Sequence, residues 1–257
     1  SFLSVVNVYF SRVLILPETK ESSLSFWLTP CDVGVSMGFL LQQRLHDRRR
    51  LFLKRSIDLI LCALGAVLVV PVSLVLALAI RLDSRGPILY RQKRVGQGGR
   101  EIMVHKFRTM ARDADVILEK YLADNPDARD EWERDHKLRR DPRITRVGRF
   151  IRKVRIDELP QLWNVLKGDM SFIGPRPERM TFVKKLKEDI PYYSLRHTVK
   201  PGLTGWAQVC YPYGASEEDS RHKLEYDLYY IKNMSILLDI TIVLKTIGVV
   251  LFPKGAR

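Results

Sequence analysis

Apolar residues are concentrated in one place above all: Leu59 to Ile80, LILCALGAVLVVPVSLVLALAI, 22 residues without a charge. At 1.5 Å per residue such a helix reaches about 33 Å, enough for the roughly 30 Å hydrocarbon core of a bilayer. It is apolar on every face, which argues against the core helix of a soluble domain and predicts a membrane helix. Six cations lie in the fifteen residues before it and five in the fifteen after it. The positive-inside rule therefore draws both ends toward the cytoplasmic side. Pro71 sits mid-run, removes one helical amide and permits a sharp bend, with Ser73 near enough to help satisfy the freed backbone. A segment that enters, turns and leaves by one face satisfies both observations; a kinked single crossing is the alternative.

The remaining pattern is softer. Residues 1–45 mix short apolar runs (Val5 to Phe10, Val13 to Leu16) with a polar break at Pro17 to Ser23, lack the basic start of a secretory signal, and yield no assignment. Ile88 to Met110 reads as two strands around a Gln97-Gly98-Gly99 turn. Its glycines match neither the P-loop nor the dinucleotide fingerprint. Asp113 to Lys137 is a charged, solvated helical stretch broken at Asn125-Pro126. After Asp141-Pro142, Ile144, Val147, Phe150 and Ile151 fall at helical spacing. Glu178 to Asp189 predicts a helix closed by Pro191. Lys200 to Val209 predicts a turn followed by a short strand, and Ser216 to Asn233 a helix bearing Tyr226, Tyr229 and Tyr230. Ile236 to Phe252 is apolar but carries Asp239 and Lys245, which predicts a helix lying among lipid headgroups, with Lys254 and Arg257 at its end.

Charge changes this picture. A net charge of +14 with a pI near 9.8 calls for a polyanionic partner: nucleic acid, an anionic membrane surface or phosphorylated substrates. Cys31, Cys62 and Cys210 form no close pair, and five histidines show no ligand spacing, so neither a disulfide framework nor a zinc site is indicated. The cations crowd most tellingly around Asp157 and Glu158, in RKVRIDELPQLWNVLKGDMSFIGPRP (Arg152 to Pro177). Adjacent carboxylates amid Arg152, Lys153, Arg155 and Arg176 suit phosphate chemistry: the cations keep a carboxylate ionised and hold phosphate oxygens, and Mg²⁺ bridges carboxylate to diphosphate. The plainer alternative is a helix start, where acidic residues complement the macrodipole and Pro160 takes an early position.

Several motifs in series then resemble the monotopic phosphoglycosyl transferases among the bacterial sugar transferases. They are RLDSRGPILYRQKRVG, HKFRTM, DPRITRVGRFIRKVRIDELPQLWNVLKGDMSFIGPRP, KPGLTGWAQV and YDLYYIKNMSILLDI. The resemblance covers roughly residues 50–257. It implies an α/β, mostly helical, membrane-associated monotopic domain with an N-terminal re-entrant helix bent at Pro71 and interfacial amphipathic helices. The division expected is 1–45 unassigned, 46–85 basic flank and re-entrant helix, and 86–257 catalytic domain. The implied reaction transfers a sugar 1-phosphate from a UDP-sugar to polyprenyl (undecaprenyl) phosphate, releasing UMP, at the cytoplasmic face of the inner membrane. This step initiates a membrane glycan of the exopolysaccharide or O-antigen type.

The resemblance also implies roles. Asp157 is the nucleophile with Glu158 beside it, both at Mg²⁺; Lys106, Arg108, Arg152, Arg176 and Lys200 bind substrate phosphates. The family often has serine before the membrane proline where this chain has Val70, and some members have arginine where it has Lys200. The expected partners are a UDP-sugar, polyprenyl phosphate and an anionic phospholipid bilayer, without nucleic acid; a homodimer is left open. Two rivals stand: one-step transfer with the dyad only binding metal, and a non-catalytic basic adaptor at the membrane.

Overall fold

The computed structural model describes residues 12–15, 29–33, 36–42, 48–135, 138, 140–211, 214 and 216–251. In chain order the first elements are β1 (Arg12–Ile15), β2 (Thr29–Val33) and β3 (Ser36–Gln42), then the long helix α1 (Arg48–Asp83) and the strand pair β4 (Leu89–Val95) and β5 (Glu101–Phe107). Next come α2 (Ala114–Asp124), α3 (Pro126–Asp135), α4 (Arg146–Lys153), α5 (Gln161–Lys167) and β6 (Ser171–Ile173). The chain continues through α6 (Met180–Asp189), β7 (Gly202–Thr204), α7 (Trp206–Cys210), α8 (Glu217–Asn233) and α9 (Ile236–Leu251). Helices dominate. Within the stretch left unassigned by patterning, β1, β3 and β2 form an antiparallel sheet in that order, with Arg12 opposite Gln42 and Thr29 opposite Leu40. Its other residues, and Lys254 and Arg257, lie outside the described residues.

Pro71 lies inside α1, which continues unbroken to Asp83. Only 11% of the most apolar 18-residue window is buried, so the chain's own packing does not account for this surface; Val67 is 78% exposed and Leu82 79%. That disposes of a soluble core helix and leaves a helix compatible with a membrane.

The chain forms two compact units from interleaved segments. The first combines 1–61, 93–102 and 165–257; the second, 62–92 and 103–164. In the first unit, one apolar cluster joins Val95, Val183, Ile190, Tyr193, Leu224 and Leu228, and another joins Ile173, Val199, Tyr230, Met234 and Ile242. The foot of α1 is bonded into this unit at helical spacing. Lys54 Nζ meets Asp239 Oδ2 at 2.8 Å, Arg55 donates to the Val165 and Leu166 carbonyls at the end of α5, and Asp58 accepts from Ser171 Oγ and the Phe172 amide. Asp239, which patterning placed among headgroups, is in fact buried, accepting from the Tyr230 hydroxyl as well. The opposite face of α9, with Leu237, Ile240, Leu244 and Ile247, is exposed.

The expected turn and strand at Lys200 to Val209 are corrected. The strand is β7, pairing parallel with β6, and Trp206 to Val209 are helical, in α7. Gly205 ends the strand in extended backbone, and the Val209 amide bonds back to its carbonyl, so the helix starts where a longer strand would lack a partner.

In the second unit, Leu76 and Ile80 of α1 pack with Phe107 and Ile151, flanked by Val72, Ile88, Val147, Ile156 and Leu159. Thr145 caps α4 through the Gly148 amide. A Cβ on Gly148 would lie 2.1 Å from the Thr109 carbonyl oxygen, a backbone atom that no rotamer change relieves. Gly148→Ala should therefore cost about 1–3 kcal/mol by forcing α4 away from residue 109, read as a lowered unfolding midpoint.

Candidate active site

The second unit builds a carboxylate dyad at the end of α4. That helix closes with Arg155 in the left-handed region at φ 56; the Arg155 amide donates to Arg152 O and the Ile156 amide to Ile151 O. This is a Schellman closure, sealed by the apolar pair Ile156 and Ile151. The sharp reversal delivers Asp157 and Glu158 into the turn before α5. The Phe107 amide, at the end of β5, donates to the Asp157 carbonyl at 2.9 Å, and the Gln161 amide donates to the Glu158 carbonyl at 2.9 Å. Helix start and chemical site therefore coincide: the dyad sits just ahead of α5.

From β5, Lys106 reaches both acids, with Nζ 2.6 Å from Glu158 Oε1 and 3.8 Å from Asp157 Oδ2. The three side chains are 19–25% exposed, sheltered yet open to a ligand. Burial lifts the Asp157 carboxyl above its ordinary range, Lys106 pulls it back down, and the neighbouring Glu158 charge raises it again. Arg152 donates through Nε to Thr109 Oγ1 at 2.9 Å, and its charge is felt by Asp141 and Asp157. The structure thus brings together Lys106, Arg152, Asp157 and Glu158.

Arg108 is placed differently. Its guanidinium donates to the Arg85 carbonyl and to both the carbonyl and hydroxyl of Ser84, so it closes the loop leaving α1 instead of joining the dyad. Gly86, at φ 126, leaves the room: a Cβ there would lie 2.2 Å from Arg108 Nη1. Arg176 and Lys200 belong to the first unit. Arg176 is exposed on the turn after β6, and Lys200, its ammonium held below the ordinary value by burial and by Arg55, lies beside Gly168.

Two supports were not anticipated. Thr109 orients Arg152 and accepts the Thr145 amide through its carbonyl. Asn164, fully buried, donates to Met103 O and accepts from the His105 amide, tying α5 to β5 and so the dyad turn to Lys106. A lone amide in the apolar run Leu162-Trp163-Asn164-Val165 was the available signal.

Among the described residues, no group of three or more metal-ligating side chains gathers. Two adjacent carboxylates nevertheless fit Mg²⁺, which commonly takes one or two from the protein and the rest of its shell from phosphates and water. The desolvated charge of Asp157 is what a cation would relieve.

Residues 49–253 match the family model described as "Bacterial sugar transferase". The chain is 46% identical over 206 residues to the UDP-N-acetylgalactosamine-undecaprenyl-phosphate N-acetylgalactosaminephosphotransferase of Aeromonas hydrophila, covering 80% of this chain and 45% of that protein. It is 42% identical to the undecaprenyl-phosphate galactose phosphotransferase of Salmonella typhimurium, over 84% of this chain and 44% of that one. To the exopolysaccharide production protein ExoY of Rhizobium meliloti it is 36% identical, over 79% of this chain and 87% of that one. The chain spans about half the length of the first two.

Proposed function

Since this chain belongs to the bacterial sugar transferase family, we propose that it moves a sugar 1-phosphate from a UDP-sugar to undecaprenyl phosphate and releases UMP. The observation that carries the reading is the partly buried Asp157 beside Glu158, with Lys106 placed between them. In the first step an Asp157 oxygen attacks the β-phosphorus; the bond from that phosphorus to the bridging oxygen breaks and UMP departs with the electron pair. The sugar phosphate is then held as an acyl phosphate. In the second step an oxygen of the lipid phosphate attacks the same phosphorus and frees the carboxylate. Phosphoryl transfer of this kind asks mainly for placement and charge neutralisation. Lys106 supplies positive charge at the dyad, Glu158 fixes Lys106, and Arg152 adds charge from the Thr109 side. Mg²⁺ held by Asp157 and Glu158 would neutralise the diphosphate and stabilise the departing UMP. Arg176 would grip a phosphate through its two-pronged guanidinium, and Lys200 would contribute a point charge.

For the setting, α1 is the support. Basic flanks at both ends and Pro71 at mid-span support a re-entrant helix on the cytoplasmic face of the inner membrane, with the exposed apolar face of α9 lying in the interface. Cysteines introduced at positions 50 and 90 should both react with an impermeant reagent from the cytoplasmic side only; opposite-side labelling would establish a crossing. For the chemistry, the protein incubated with sugar-labelled UDP-sugar and no lipid acceptor should retain label and release an equivalent of UMP. UDP-N-acetylgalactosamine, UDP-galactose and UDP-glucose form the panel, since relatives named for each sugar are similar to this chain. UMP formation that requires lipid, with no label on protein for any donor, points to one-step displacement.

A further inference from the structure

The turn bearing Arg176 is fastened at four consecutive carbonyls, all inside the first unit. The Gly202 amide donates to Pro175 O and the Val95 amide to Glu178 O, each at 2.9 Å. Between them, Arg196 Nη2 donates to the Arg176 carbonyl and Arg94 Nη1 to the Pro177 carbonyl, each at 3.1 Å. The outer ties are main chain to main chain. The two central ones depend on guanidinium groups. Pro175 and Pro177 have no amide to donate, so the turn has few donors of its own for an internal ladder. Both arginines are braced from behind: Arg196 by Asp227 at 2.7 Å and by the Tyr193 hydroxyl, Arg94 by Glu178 at 3.6 Å.

We infer that Arg94 and Arg196 are positioning residues for the Arg176 turn: they hold its main chain so that the exposed guanidinium of Arg176 leaves in one direction. This rests on the reading of Arg176 as a phosphate grip. A long flexible side chain is aimed chiefly by the backbone it leaves from, and a misplacement near 1 Å in a phosphate clamp costs up to ~10²-fold in rate. Charged donors make the stronger carbonyl ties. Arg196 also serves the core, being almost wholly buried with Asp227, whereas the Arg94 side chain is 15% exposed and contacts the turn's own residues Pro177 and Glu178.

Arg94→Met in the full chain is therefore the sharper probe, read by two independent measurements. Amide hydrogen exchange of the peptide covering residues 174–183 should quicken about tenfold while exchange across α8 stays unchanged. The kcat/KM for UDP-sugar should fall about tenfold, most of it in KM, and Arg94→Met should add less than twofold to the loss already caused by Arg176→Ala. Arg94→Lys, which keeps the charge and the pairing with Glu178, should recover part of both. Unchanged exchange in the turn overturns the inference, as does a loss of kcat/KM that is undiminished in the Arg176→Ala background. If exchange quickens but Arg176→Ala alone retains full turnover, the phosphate-grip reading falls and the mechanical tie stands.

Discussion

Asp157→Asn should lower turnover by at least ~10³-fold, and it should make the protein more stable at pH 7. On the proposed covalent mechanism the loss follows because an amide would not form the acyl phosphate, and removing a nucleophile ordinarily costs several powers of ten. The stability gain follows from linkage. In the folded chain the Asp157 carboxyl titrates above its ordinary value of 3.8, burial being the main cause, so the native state is the worse host for the charge. A raised carboxyl contributes full stability only below the unfolded value, and that contribution is lost as pH rises through the folded one. Asparagine carries no charge, so the variant's advantage is present at neutral pH and vanishes as pH falls below the ordinary carboxylate range. Lys106 keeps Glu158 at 2.6 Å and is not orphaned by the change. UMP release at pH 7 and unfolding midpoints at pH 7 and near pH ~3 measure both halves. Turnover within tenfold of the parent would remove Asp157 as nucleophile. The acid limb of kcat/KM in the parent should likewise sit above the ordinary carboxylate range, because the proposed nucleophile must be ionised.

The dyad and the cation opposite it were legible in sequence because their spacing is local or motif-bound: Asp157 and Glu158 are adjacent, and Lys106 stands in the motif HKFRTM. The long helix was legible because 22 uncharged residues have few soluble uses. Arg108 shows where such reading stops. In sequence it is one more cation two residues beyond Lys106; in three dimensions its carbonyl partners at Ser84 and Arg85 lie 24 and 23 residues away along the chain. Asp239 taught the same lesson from the other side. An acid in an apolar helix suggests an interface, and only the fold reveals Lys54 and Tyr230 closing over it. The short strand at Gly202 failed on register: which three residues pair depends on β6, some thirty residues earlier, and not on local propensity.

Asp227→Ala should lower stability by about 3–5 kcal/mol, the range for stripping one partner from a buried ion pair. Arg196 and Asp227 are 7% and 2% exposed, and Nη2 lies 2.7 Å from Oδ2. Burial lifts Asp227 to about 6 even against the pull of Arg196, so its carboxyl is mostly ionised at neutral pH. Burial opposes the charge on Arg196 too, yet Asp227, then Tyr193 and Glu178, hold it above its ordinary value. Without Asp227 a guanidinium remains buried with no counter-charge at that distance, which is the origin of the cost. Replacing both, Arg196→Met with Asp227→Leu, removes the stranded charge and should recover most of the loss, because apolar isosteres of buried pairs are often neutral. The same double variant no longer ties the Arg176 carbonyl. Its unfolding midpoint should return toward the parent's while its kcat/KM for UDP-sugar stays about tenfold low, a split that a purely structural pair would not produce. Chemical denaturation in the purification detergent, alongside UMP release, measures it. A single-variant loss under about 1 kcal/mol would mean the pair is far more hydrated than its burial indicates.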